Sequence, residues 1–140
     1  MYLTYEEYQE FGGTLDETTY NQYELEARGI VDWYTFDRLK QETELPTEVK
    51  ECMYLIICRV TDEHNLLNSS MPTGAGGMVA NPTVASQSND GVSTTYVTFP
   101  ISAAFEHCKV AIADIINTSL RTAMNSLGRK LLYRGLYPGE

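Results

Sequence analysis

The chain has 140 residues and few of the features that mark enzymes, secreted proteins or membrane proteins. It holds two histidines and three cysteines, with no CxxC pair and no P-loop, GxGxxG or HExxH pattern. The longest apolar run, CMYLIIC at 52–58, is too short to cross a bilayer. The first residues lack the basic and apolar regions of a signal peptide. These absences predict a protein without catalysis, metal, cofactor or membrane contact, whose cysteines are plain buried thiols in a reducing compartment.

Acidic residues outnumber basic ones, and they are concentrated in the first half of the chain. Residues 1–63 hold 15 acids and 5 bases, whereas residues 64–140 hold 4 acids and 5 bases. Four bases and no acid occur in the stretch 121–134: Arg121, Arg129, Lys130 and Arg134. Such polarity suits head-to-tail contact between copies, or a basic end that meets an acidic partner, and a solvated acidic face is the plainer alternative. The net charge of −9 argues against ordinary duplex binding, which needs a broad basic footprint.

Two capping boxes begin the helical part of the chain. Residues 4–7 (TYEE) predict a short first helix, which Gly12-Gly13 ends. Residues 14–17 (TLDE) predict a second helix that reaches about Leu39. Its apolar stripe recurs at helical spacing: Tyr20, Tyr23, Ala27, Ile30, Val31 and Tyr34. The N-terminal tyrosines fit core packing and interface contact about equally well.

Two further apolar patterns predict the central and the last helix. Pro46 suits the first position of a third helix, whose core residues are Val49, Met53, Ile56, Ile57 and Val60. After Pro100, a long helix of about 28 residues is expected to end near Gly128. Its apolar positions are Ile101, Phe105, Cys108, Ile112, Ile115, Leu120, Ala123 and Leu127.

Residues 71–99 differ from the helical segments and predict an inserted loop and β-hairpin arm. Glycine and proline dominate 71–85, and an Asn-Asp-Gly turn then precedes alternating residues that favour a strand. An exposed strand can pair with a partner's edge. The predicted subunit- or partner-contacting residues are Asn89, Asp90, Gly91, Val92, Thr94 and Tyr96. A pairing with residues 78–88 of the same chain and a pairing with the next subunit remain equally open.

The last stretch, 129–140, is apolar and aromatic but broken by glycine and proline, which predicts an extended tail. Its apolar side chains favour an interface, because they would otherwise face water. The predicted contact residues are Leu132, Tyr133, Arg134, Gly135, Leu136 and Tyr137. The chain as a whole is therefore expected to be mainly α. It forms one domain, residues 1–140, built as a small helical bundle with a long C-terminal helix, an inserted arm and a tail.

This layout resembles the head–tail connector (adaptor) proteins of long-tailed bacteriophages. In that family a serine-rich segment with an adjacent Gly-Asp pair and a later tyrosine precedes the long helix, and a Tyr-Arg-Gly triplet lies near the C-terminus. The triplet matches residues 133–135. The serine-rich segment matches Ser86, Ser88, Asp90, Gly91, Ser93 and Tyr96, with Asp and Gly in reversed order. The resemblance covers nearly the whole chain in layout, and its motifs are short.

The resemblance implies a structural virion protein that assembles as a ring, usually a dodecamer, beneath the portal protein. Such a ring extends the DNA channel and docks the head-closure (stopper) protein, and genomic DNA passes without sequence-specific binding. In related adaptors the C-terminal segment reaches into the portal, a role that residues 132–137 would take here. The implied location is the virion, and the host cytoplasm during assembly. The alternative is a small helical regulator or nucleic-acid-binding protein that uses a basic C-terminal helix.

Overall fold

The computed structural model describes residues 1–70, 86–89, 92–95 and 101–135, and it is mainly helical, as predicted. The helices are α1 (Tyr5–Glu10), α2 (Glu17–Thr35), α3 (Thr47–Ser70) and α4 (Ile101–Ser119). The strands β1 (Ser86–Asn89) and β2 (Val92–Thr95) pair antiparallel. Helix α3 packs against both α2 and α4, so the small helical bundle is confirmed.

The predicted arm residues are only partly described. Asn89 is the last residue of β1 and pairs with Val92, and Gln87 pairs with Thr94. Asp90, Gly91 and Tyr96 lie outside the described residues, as do the predicted strand positions 97–99. The role of this segment in assembly stays a prediction.

The first predicted capping box is confirmed, and the second is wrong. The Glu7 amide donates to the Thr4 hydroxyl at 3.3 Å, and the Thr4 amide donates to the Glu7 carboxylate at 2.9 Å. Helix α2 is capped instead by Asp16, whose carboxylate accepts from the Thr19 amide at 3.0 Å. Asp is among the best N-cap residues, and Asp16 therefore displaces the threonine two positions earlier. The hydrogen bonds from Thr19 hold the pKa of Asp16 below its usual value.

The core lies where the helical stripes predicted it. All five core positions predicted for α3 are buried. From α2, Tyr20, Ala27 and Val31 are buried, and Tyr23, Ile30 and Tyr34 pack against them. Pro46 directly precedes α3 rather than opening it, a difference of one residue.

The N-terminal tyrosines belong mainly to the core, which decides between the two interpretations. Tyr8 and Tyr20 are buried with ring centroids 4.8 Å apart, and the half-buried Tyr5 ring lies 5.3 Å from Tyr20. The Tyr20 hydroxyl donates to the Leu3 carbonyl at 2.5 Å, and burial raises the pKa of Tyr20. The Tyr2 amide also donates to the buried Glu24 carboxylate at 2.8 Å. These contacts hold the first residues of the chain against α2.

The last helix is shorter than predicted, because the chain turns back after Ser119. The Asn125 side chain accepts from the amides of Leu127, at 3.1 Å, and Arg129, at 2.9 Å. Such side-chain bonds give the backbone an alternative to a helix. Gly128 has a φ of 70°, and the Leu131 amide donates to the Ala123 carbonyl at 3.1 Å. The predicted apolar positions after Ser119 therefore lie in a chain reversal, which leaves Leu127 69% exposed.

We expect the neighbouring residues Leu55 and Ile56 to respond very differently to truncation. Ile56 is fully buried in α3, whereas Leu55 is 43% exposed. Ile56→Ala should lower the free energy of unfolding by about 2 to 5 kcal/mol, because it removes buried methylenes and leaves a cavity. Leu55→Ala is the matched control and should cost less than about 1 kcal/mol. Urea denaturation measures both, and equal losses would contradict the assigned face of α3.

An ion pair between α1 and α3 predicts a pH-dependent contribution to stability. The Lys50 ammonium lies 2.5 Å from the Glu7 carboxylate and lowers the pKa of Glu7, with help from Thr4. A lowered folded-state pKa means that the ionised carboxylate stabilises the fold above the unfolded-state pKa, about 4.3. That contribution disappears as the pH falls through the folded-state value.

Lys50→Met should therefore reduce the difference in unfolding free energy between pH 7 and pH 3. The pair is about one-third exposed, so the reduction is small, below about 1 kcal/mol. Urea denaturation at the two pH values measures it, and Arg59→Met, which breaks a more exposed pair with Asp62, is the control. An unchanged pH dependence in Lys50→Met would show that the pair does not stabilise the fold.

Candidate functional site

Helix α2 ends at two residues with left-handed backbone conformation, earlier than the predicted end near Leu39. Phe36 has φ 56° and Asp37 has φ 59°, and neither is glycine. This conformation costs about 1 to 2 kcal/mol for each non-glycine residue. The residues that follow the turn offset this cost, because Leu39 is buried in the core and Arg38 hydrogen-bonds to the end of the chain.

Arg38 clamps the segment after α4 to the bundle. Its guanidinium donates to the carbonyls of Lys130 at 3.3 Å, Leu131 at 3.2 Å, Tyr133 at 2.6 Å and Gly135 at 2.9 Å. The group is buried and lies 5.2 Å from the centre of the Phe36 ring. The planar fork of arginine suits donation to several carbonyls at once, which a lysine cannot reproduce. We name residues 130–135 the clamped segment.

Two adjoining grooves lie between the end of α2 and the clamped segment. The tryptophan groove has a volume of about 750 Å³, and its walls include Gly29, Trp33, Tyr34, Phe36 and Lys40. The tail groove, about 710 Å³, runs from Phe36 to the reversal after α4. Phe36, Asp37 and Arg134 line both grooves. They therefore form one continuous surface, which is the candidate functional site.

The carboxylates in these grooves already have partners within the subunit. Lys40 pairs with Asp37 at 2.8 Å and lies 3.8 Å from Asp32, which also accepts from the Tyr2 hydroxyl. The Asp37 bond raises the pKa of Lys40. Glu42 accepts from the Ser126 amide at 3.1 Å. Arg134, which lines both grooves, makes no ion pair with any residue that the structure describes.

The predicted tail residues are placed as follows. Leu132 is half-buried against the core, whereas the side chains of Tyr133 and Arg134 are exposed. A Cβ at Gly135 would come within 2.5 Å of the Tyr133 ring, so the ring lies directly over this glycine. Leu136 and Tyr137 lie outside the described residues. Up to Gly135, the predicted tail rests on the bundle.

Sequence patterns missed the contribution of α2 to this surface. Trp33 is 74% exposed and lies one position off the apolar stripe that predicted the core. The apolar stripe predicts a helix that continues past Phe36, whereas the left-handed conformation of this residue ends the helix and leaves its side chain half-exposed. The only sequence feature that points to this surface is Trp33, an aromatic residue beside the apolar stripe. That feature does not predict where the end of the chain packs.

No protein-family model, curated protein or solved structure matches this chain. The site is therefore argued from its own geometry. Within the described ranges, no helix is long and apolar enough to span a bilayer, and no cluster of three or more His, Cys, Asp or Glu side chains could hold a metal ion.

The cysteines are free but not uniformly buried, which corrects one prediction. Cys52 is buried, and burial raises the pKa of its thiol to about 12, whereas Cys58 and Cys108 are half-buried. A thiol with so high a pKa is protonated at neutral pH and is a poor nucleophile.

We expect Arg38→Lys to release the clamped segment while the bundle remains folded. An ammonium cannot reach four carbonyls, so the unfolding free energy should fall by about 2 to 4 kcal/mol. The amides of Leu131 and Tyr133, which donate within this region, should exchange with solvent faster. Urea denaturation and hydrogen exchange measure the two effects. Arg59→Lys on the surface of α3 is the control, and identical behaviour of the two variants would rule out the clamp.

Proposed function

We propose that this chain is a head–tail connector (adaptor) subunit of a long-tailed bacteriophage, a structural protein without catalysis. It assembles as a ring, a dodecamer in the virion, beneath the portal protein. The ring extends the DNA channel, lets genomic DNA pass without reading its sequence, and docks the head-closure protein. Its place is the head–tail interface of the virion, after assembly in the host cytoplasm.

The clamped segment is the observation that carries this proposal. In the Tyr-Arg-Gly triplet, the backbone carbonyls of Tyr133 and Gly135 are held by Arg38, while the side chains of Tyr133 and Arg134 face solvent. An aromatic and a cationic side chain on a fixed backbone lose little conformational freedom on binding. Tyr and Arg are also the residue types that contribute most at protein interfaces. The triplet is thus presented as a recognition surface.

The arrangement of charge gives weaker support to the alternative, a nucleic-acid-binding regulator. That alternative relies on a basic C-terminal helix, but α4 ends at Ser119 and all four bases between 121 and 134 follow it. Carboxylates of the first half, among them Glu42 and Asp37, lie on the same surface as two of these bases, Arg129 and Arg134. Duplex DNA affinity with a steep dependence on salt concentration would favour the regulator over the connector.

We expect the portal protein to bind the full-length chain through the exposed part of the triplet. Electron microscopy of the purified protein mixed with its cognate portal should show rings on the portal. The double substitution Tyr133→Ala and Arg134→Ala should weaken this binding about tenfold or more, because each removes a contact of hot-spot type.

Truncation before Leu131 would be a poorer test, because Leu131 is fully buried and its loss would unfold the C-terminal region. The matched control is Lys109→Ala with Val110→Ala, which removes an exposed base and an exposed apolar side chain from α4. Equal binding by the two double variants would show that the clamped segment does not contact the portal. A portal that binds neither the variants nor the unaltered chain would overturn the connector function itself.

A further inference from the structure

We propose that the tryptophan groove and the tail groove together bind an extended, acidic segment of a partner protein. An apolar side chain of that segment enters the tryptophan groove, and a neighbouring carboxylate pairs with Arg134. This inference deepens the proposed connector function, on which it rests only for the identity of the partner. It assigns the binding surface to α2 as well as to the triplet.

The aromatic walls supply the apolar part of the binding surface. The Trp33 ring is 74% exposed and meets Tyr34 edge-on, with centroids 4.9 Å apart and planes at 83°. Phe36 is half-exposed and is kept in a strained backbone conformation. Large exposed aromatic side chains that line a concave surface are typical of sites that bury an apolar anchor.

Gly29 keeps the tryptophan groove open. It lies in the middle of α2, where glycine costs about 1 kcal/mol relative to alanine. A Cβ at this position would meet no other atom within 4 Å, so neither helix packing nor backbone geometry requires a glycine. The space that a side chain would fill belongs instead to the groove. Gly29 therefore marks volume that an incoming side chain can occupy.

The charges that line the grooves indicate that the partner segment carries a carboxylate beside its apolar side chain. Asp32 and Asp37 are bound by Lys40, and Glu42 is bound by the Ser126 amide. Arg134 lines both grooves and, within the described residues, pairs with no carboxylate. A segment that brings a carboxylate to Arg134 supplies the ion pair that this side chain lacks, whereas a basic segment would be repelled by Arg134. The preferred partner is therefore acidic at the point where it crosses from one groove to the other.

The sole tryptophan of the chain makes occupancy of the groove directly measurable. Its fluorescence should shift to shorter wavelength when an apolar side chain covers the indole. The probe is the capped peptide GSGLEELGSG, titrated into the full-length protein, and GSGLQQLGSG and GSGLKKLGSG are the charge controls. We expect the glutamate peptide to half-saturate at a concentration at least about threefold below that of the glutamine peptide, and added NaCl to shrink this difference.

Two variants separate the apolar contact from the charged one. A Cβ at position 29 meets no atom within 4 Å, so Gly29→Leu places its side chain in the tryptophan groove and should raise the melting temperature and abolish the spectral shift. Arg134→Glu should remove the preference for the glutamate peptide and favour the lysine peptide. Arg121→Glu, an exposed base that lines neither groove, should behave like the unaltered chain.

Four outcomes would overturn the inference. These are a missing spectral shift with the glutamate peptide, equal half-saturation by all three peptides, undiminished binding by Gly29→Leu, and a shift that appears on raising the concentration of the protein alone. The last would show that a second copy covers the groove. Peptide binding does not involve the portal, so the two proposals can fail separately. If the peptide binds but the portal does not, the groove is a binding site and the connector function is wrong.

Discussion

The four hydrogen bonds donated by Arg38 determine how the last part of this protein is arranged. Without them the carbonyls of the clamped segment would need water, and the segment would have little reason to lie against α2. The strained turn at Phe36 and Asp37 serves this contact, because the turn directs the Arg38 guanidinium towards the clamped segment. The grooves and the display of Tyr133 depend on the same group. A largely buried arginine thus organises a surface of which it forms only a small part.

Much of the helical core followed from periodicity, because burial of one helix face leaves a regular trace in the sequence. The core of α3 and the stripe on α2 could be predicted in this way. Helix ends were harder to predict. At Asp16 two capping residues competed within one turn, and at Asn125 a polar side chain diverted the backbone from a helix that the apolar spacing allowed. Local hydrogen bonds of this kind are decided by fractions of a kcal/mol to about 2 kcal/mol, which residue spacing does not record.

The candidate site was predictable only in its C-terminal half. The tail stands out because its apolar side chains would otherwise face water, and its Tyr-Arg-Gly triplet because it matches the connector resemblance. The wall contributed by α2 arises from contacts between residues far apart in sequence. The Lys40 pairs with Asp32 and Asp37 also change the meaning of the charge pattern. Acids that look like part of a broad negative half have partners within the subunit where they meet the groove, whereas Arg134 makes no ion pair with a described residue.

The sequence separation of the clamp has a consequence for synthesis of the chain. Arg38 donates to carbonyls that lie 92, 93, 95 and 97 residues further on. At usual translation rates these acceptors leave the ribosome about 5 to 20 s after Arg38 itself. Until then the guanidinium lacks these acceptors, and the turn at Phe36 lacks the hydrogen bonds that help to offset its strain. The end of α2 can therefore mature only after nearly the whole chain has been made.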